Sequence, residues 1–95
     1  MEQHLSQYKI FYEVARCGNI SRAAKELYIS QPAISKAISK LEESLGIKLF
    51  SRNSRGVQLT REGTILFQHV NTAFDSIGRG ERELKRIHDF HIGNL

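Results

Sequence analysis

Apolar residues recur at three- and four-residue steps from Leu5 to Arg16, where Leu5, Tyr8, Phe11, Tyr12, Val14 and Ala15 mark a half-buried helix. Cys17-Gly18-Asn19 ends it. Asn19 or Ser21 caps a second, short helix that turns Ala23, Ala24 and Leu27 inward, the alanines being small enough for another helix to approach closely. This helix stops near Tyr28-Ile29. Ser30 then offers its hydroxyl to the free amides of a third helix running to Leu45. Pro32 sits in the first turn of that helix, where a missing N–H costs nothing, and Gly46 suits the left-handed residue after its end. At 100° per residue, Ile34, Ile38, Leu41 and Leu45 form one narrow stripe that faces the core.

Beyond Gly46 the pattern changes. Lys48-Leu49-Phe50-Ser51-Arg52 and Val57-Gln58-Leu59 flank the turn Asn53-Ser54-Arg55-Gly56, which predicts a short hairpin. Thr60 caps a fourth helix, with Glu62 favourably placed in its first turn. Along that helix Leu66, Val70, Ala73, Ile77, Gly80, Leu84 and Ile87 follow the four-three spacing of a coiled-coil seam, which Phe67 and Phe74 widen. A helix of about 27 residues spans ~40 Å and outruns a domain this small. The seam therefore calls for a partner helix, the alternative being cover by the first helix of its own chain. Gly78 and Gly80 each cost about 1 kcal/mol relative to alanine. At Gly80, on the seam, either two backbones approach closely or the helix bends. The predicted fold is mainly α: a winged helix-turn-helix of three helices and a two-stranded wing over residues 1–60, then a dimerisation helix over 61–90.

Length narrows the function. A chain of 95 residues makes one small domain, too short for a large enzyme cleft. No apolar run has the length of a membrane span, and Met1-Glu2-Gln3-His4 lacks the layout of a secretory signal. A cytoplasmic protein without a membrane partner is expected. The single cysteine, Cys17, has no second thiol to pair with and reads as a small residue at a helix end. Enzyme chemistry has little material: His4, His69, His88 and His91 are the histidines, and His88, Asp89 and His91 form only part of a metal set. No serine or cysteine has a positioned base, and no glycine-rich phosphate loop occurs. Neither catalysis nor a metal or other cofactor is expected.

Charge is unevenly spread. Residues 1–60 hold nine Lys or Arg against five acids, whereas residues 61–95 balance at five against five. The basic excess lies where a polyanion would be met. On the third helix, the face opposite the apolar stripe carries Pro32, Lys36, Ser39 and Glu43, with Ser35 at its shoulder. Glu42 and Glu43 would be repelled by phosphate, so the first two or three turns are expected to enter the groove. Gln31 can bond adenine, Lys36 guanine or a phosphate, and Ser35 and Ser39 either, while Pro32 and Ala33 can meet thymine methyls. Ser21, Arg22, Ser30, Lys40, Arg52, Arg55 and Thr60 are then candidates for phosphate or minor-groove contact, against a plain surface role.

The ordered run Ala23-Ala24, Leu27, Ser30-Gln31-Pro32-Ala33-Ile34-Ser35, Ile38, Leu41-Glu42, Leu45-Gly46, Leu49-Phe50-Ser51-Arg52 and Leu59-Thr60-Arg61-Glu62-Gly63 resembles the DNA-binding region of LysR-type transcriptional regulators. The resemblance spans about residues 5–65, almost without gaps. It implies a bacterial regulator acting as a homodimer on an interrupted palindrome in double-stranded DNA, with the recognition helix in the major groove and the wing near the minor groove. By position it implies Gln31, Pro32, Ser35 and Lys36 as base-facing, and Arg22, Arg52 and Thr60 as backbone or wing contacts. Asn19-Ile20 departs from the family's usual serine and phenylalanine, which touches the cap of the second helix but not the fold. The resemblance further implies that residues 91–95 begin a link to an effector-binding domain, that a small-molecule effector would act through that domain, and that the full-length protein can form a higher oligomer.

Overall fold

A computed structural model describes the backbone of residues 2–93 and the side chains of residues 5–89. Six elements follow in order: α1 (Glu2–Cys17), α2 (Ile20–Leu27), α3 (Gln31–Leu45), β1 (Phe50–Asn53), β2 (Gly56–Leu59) and α4 (Arg61–Gly93). The first three helices pack around Phe11, Val14, Ala23, Ala24, Ile34, Ile38 and Leu41, and the wing closes the core with Leu49, Phe50 and Val57. Burial of these side chains is the main stabilising term.

The helix ends have local causes. Asn19 caps α2, its side-chain oxygen accepting the Arg22 N–H at 2.9 Å, so the choice between Asn19 and Ser21 falls on Asn19. Tyr28 ends α2 in the left-handed region (φ 58°), 93% exposed. Ser30 caps α3 by accepting the Ala33 N–H at 3.2 Å. Gly46 (φ 70°) closes α3, its N–H and that of Ile47 turning back to the Glu42 carbonyl at 2.8 and 3.1 Å.

Two expected core residues lie outside the core. Leu45 is 41% exposed although it falls on the stripe of Ile34, Ile38 and Leu41, and Leu5 is exposed at the start of α1. A wheel gives direction only, and burial also needs an element opposite.

The wing pairs antiparallel, Phe50 with Leu59 and Arg52 with Val57. At its turn Asn53 Oδ1 accepts the Arg55 N–H at 2.8 Å. Gly56 has φ 124°, and a Cβ there would stand 2.7 Å from the Gly18 carbonyl oxygen. The wing thus rests on the α1–α2 turn.

In α4 the seam divides. Val70 is buried, and Leu66, Phe67 and Phe74 pack against the core. Tyr12 of α1 stacks on Phe67 (centroids 5.7 Å) and meets Phe74 edge-on (5.1 Å), and Lys9 Nζ lies 5.5 Å from the Phe74 centroid. Of the residues expected at the seam, Val70 is thus buried within its own chain, and Leu66, Phe67 and Phe74 are half-buried against it. Ala73, Ile77, Leu84 and Ile87 remain exposed, the last three at 58%, 70% and 52%. Helix α4 runs through Gly78 and Gly80 without interruption and continues to Gly93, beyond the expected end at residue 90. Asn94 and Leu95 lie outside the described residues, as do the side chains of His4 and His91. The molecule measures 56 × 25 × 23 Å.

Candidate nucleic-acid interface

The sequence of α3 sends its apolar side chains inward every third or fourth residue, which leaves Gln31, Pro32, Ala33, Lys36, Ser39 and Lys40 exposed and Ser35 half-buried. No acid occupies the first turn of α3, so the positive pole of the helix is uncompensated there. Ser21 and Arg22 are exposed in the first turn of α2. Among the described residues, the side chains of Arg22, Lys36, Lys40, Arg52 and Arg55 enter no ion pair, whereas Lys9 and Arg16 are held by Glu13 and Arg79 by Asp75. The Arg16 guanidinium is held above its ordinary pKa by its hydrogen bond to Glu13. Cations on the outer face of α3 and on the wing are therefore available to an anion.

The two wing arginines are placed differently. Arg52 lines a shallow groove with Ile38, Ser39, Glu42, Lys48 and Phe50, which brings it beside the outer face of α3. Arg55 stands at the hairpin turn, away from that groove.

Thr60 is corrected as a phosphate donor. Its hydroxyl proton goes to the Lys48 carbonyl at 2.7 Å, its N–H to the Leu49 carbonyl at 2.9 Å, and its Oγ1 accepts the Gly63 N–H at 3.0 Å. It caps α4 as expected and ties that helix to the root of the wing, with no donor left for DNA. Ser30 differs, because accepting the Ala33 N–H leaves its hydroxyl proton free to donate.

Sequence reasoning missed Glu42. The acid expected to meet solvent beside Glu43 turns inward and accepts the N–H groups of Leu49 and Phe50 at 2.7 and 3.3 Å. Its position four residues after Ile38, on the shoulder of the apolar stripe, was the available signal. Among the described residues no group of three His, Cys, Asp or Glu could hold a metal, and no helix is long and apolar enough to cross a membrane.

The family profile described as bacterial regulatory helix-turn-helix protein, lysR family, matches residues 5–64. The chain belongs to the LysR family. Its winged helix-turn-helix is the DNA-binding domain of that family. Relatives include an uncharacterised HTH-type transcriptional regulator, y4mQ, of Sinorhizobium fredii, 42% identical over 84% of this chain and 27% of the relative. The probable cat1 operon transcriptional activator of Acinetobacter lwoffii is 45% identical over 82% of this chain and 25% of its own length. This LysR-family chain thus spans about a quarter of the length of these curated relatives. Among solved structures, the BenM DNA-binding domain in complex with catB site 1 DNA superposes with a TM-score of 0.78 at 35% identity, over 87% of this chain and 93% of that one. CbnR, a LysR family transcriptional regulator, superposes with a TM-score of 0.73 at 38% identity, over 82% of this chain and 27% of that one.

Proposed function

We propose that this LysR-family domain reads duplex DNA as a homodimer on an interrupted palindrome, as the DNA-binding part of a longer cytoplasmic bacterial transcription regulator. Gln31, Pro32, Ala33, Ser35, Lys36 and Ser39 face the bases in the major groove. Ser21, Arg22, Ser30 and Lys40 hold phosphates, and Arg52 and Arg55 bring the wing to the flanking minor groove. The observation that carries this reading is the exposed start of α3, free of acids and lined with short polar and cationic side chains, with Arg52 in the groove alongside.

Dimerisation belongs to the outer part of α4. Ile77, Leu84 and Ile87 lie exposed on one face, with Ala73 in register before them and Gly80 between Ile77 and Leu84. A partner helix would cover this face, in the four-three spacing of a two-stranded seam. The domain binds without catalysing, and any effector would act through parts of the protein beyond it.

Selection of bound sequences from a random duplex pool tests the whole reading. Two copies of one half-site in inverted orientation are the expected product, with affinity falling steeply as salt rises. Absence of any enriched sequence would overturn sequence-specific binding, and enrichment of a single unpaired half-site would overturn the dimer.

A further inference from the structure

Of the two acids that end α3, Glu43 is exposed and Glu42 is not. Glu42 Oε2 accepts the N–H groups of Leu49 and Phe50, and Oε1 lies 3.8 Å from Lys48 Nζ. Leu49 and Phe50 are buried core residues, where an amide without an acceptor is costly. On the other edge of the same segment, the carbonyls of Lys48 and Leu49 accept from Thr60. Residues 48–50 are therefore gripped from both sides, by α3 through their N–H groups and by the start of α4 through their carbonyls. The wing departs from this grip. Arg52, two residues further on, shares a groove with Ser39 and Glu42.

We propose that Glu42 is a positioning residue for DNA recognition: it fixes the root of the wing to α3 and so sets where Arg52 stands relative to the reading face. The proposal rests on the reading in which α3 and the wing contact one duplex. Glu42 touches no DNA itself. Its carboxylate is taken up by the Leu49 and Phe50 amides at the start of the wing, so reach matters more than charge.

Two substitutions separate reach from charge. Glu42→Gln keeps a carbonyl oxygen within reach of both amides and loses the charge. Glu42→Asp keeps the charge and withdraws the oxygens by one methylene. The affinity of the full chain for one selected duplex is measured in the native, Glu42→Gln and Glu42→Asp backgrounds, each with and without Arg52→Ala. In the first two backgrounds Arg52→Ala is expected to weaken binding roughly tenfold, the equivalent of about 1.4 kcal/mol. In Glu42→Asp it should weaken binding about twofold or less, because Arg52 is already out of place. A stability role alone would lower the melting midpoint and leave the Arg52 effect equal in all three, which overturns the proposal. Tighter binding by Glu42→Gln with Glu42→Asp unchanged also overturns it, in favour of plain repulsion from phosphate. If the native chain binds its selected site but Arg52→Ala costs nothing, the wing contact fails and the proposal with it, while the reading of α3 stands. Amide exchange on the native chain keeps the test open should Glu42→Asp not fold: Leu49 and Phe50 are expected among the slowly exchanging amides, and fast exchange at both overturns the grip.

Discussion

Tyr12 of α1 lies nearly parallel to Phe67 of α4, their centroids 5.7 Å apart and their planes 13° from one another. The first turns of α4 are thereby part of the domain core. Phe67→Ala, which removes a half-buried ring and with it the stacking on Tyr12, is expected to destabilise the domain by about 2–3 kcal/mol. Thermal unfolding measures it, and an unchanged midpoint would show that the contact contributes nothing.

The same relationship separates two kinds of change along one apolar stripe. Val70 is buried, so Val70→Asp places a charge in the core and should unfold the domain. Leu84 is 70% exposed, so Leu84→Asp should leave the far-ultraviolet circular dichroism and half-site binding intact while lowering the sedimenting mass. It should also weaken binding to the palindrome, where the two half-sites act through a linked pair. A mass unaffected by Leu84→Asp would remove the outer part of α4 as the dimer seam.

Base reading and backbone holding differ in their response to sequence. Gln31→Ala and Ser35→Ala are each expected to lose ~1–3 kcal/mol of discrimination at particular base pairs. Arg22→Ala should weaken cognate and random duplexes alike and flatten the salt dependence. Equal losses on both kinds of DNA for Gln31→Ala would contradict its assignment to a base.

Tyr28 carries a left-handed backbone without packing in return, at φ 58° and 93% exposed. Tyr28→Gly relieves the clash of the Cβ and gives back part of the gain through a freer unfolded chain, for a net stabilisation of about 0.5–1 kcal/mol. A lower unfolding midpoint would mean that the ring has a role its exposure does not reveal.

Gly63 and Gly80 make an internal comparison on one helix. A Cβ at Gly63 would stand 2.1 Å from the Leu49 carbonyl oxygen, whereas at Gly80 it would meet nothing within 4 Å. Gly63→Ala should force α4 off the wing and destabilise the domain. Gly80→Ala should stabilise the isolated helix by about 1 kcal/mol. If Gly80→Ala at the same time weakens the dimer by sedimentation, the two helices cross at that residue; an unweakened dimer places the crossing elsewhere.

The elements and the reading face were legible in the order of residues. Ser30, Pro32 and Gly46 mark the limits of α3, and the spacing of Ile34, Ile38 and Leu41 makes Gln31, Lys36 and Ser39 face outward, because caps and periodicity are properties of neighbouring residues. Which apolar residues are left over depends on how the elements pack. Leu66 and Val70 carry the same four-three signal as Ile77 and Leu84, yet Val70 is buried and Leu66 half-buried, with Phe67 and Phe74 beside them, because α1 ends its reach near Phe74. Tertiary contact likewise settled the polar residues whose partners lie far along the chain. Thr60 gives its donors to Lys48 and Leu49, and Glu42 accepts from Leu49 and Phe50, each across a change of element that no single helical or strand period spans. A hydrogen bond between distant residues depends on how elements dock, and docking is a property of the assembled core.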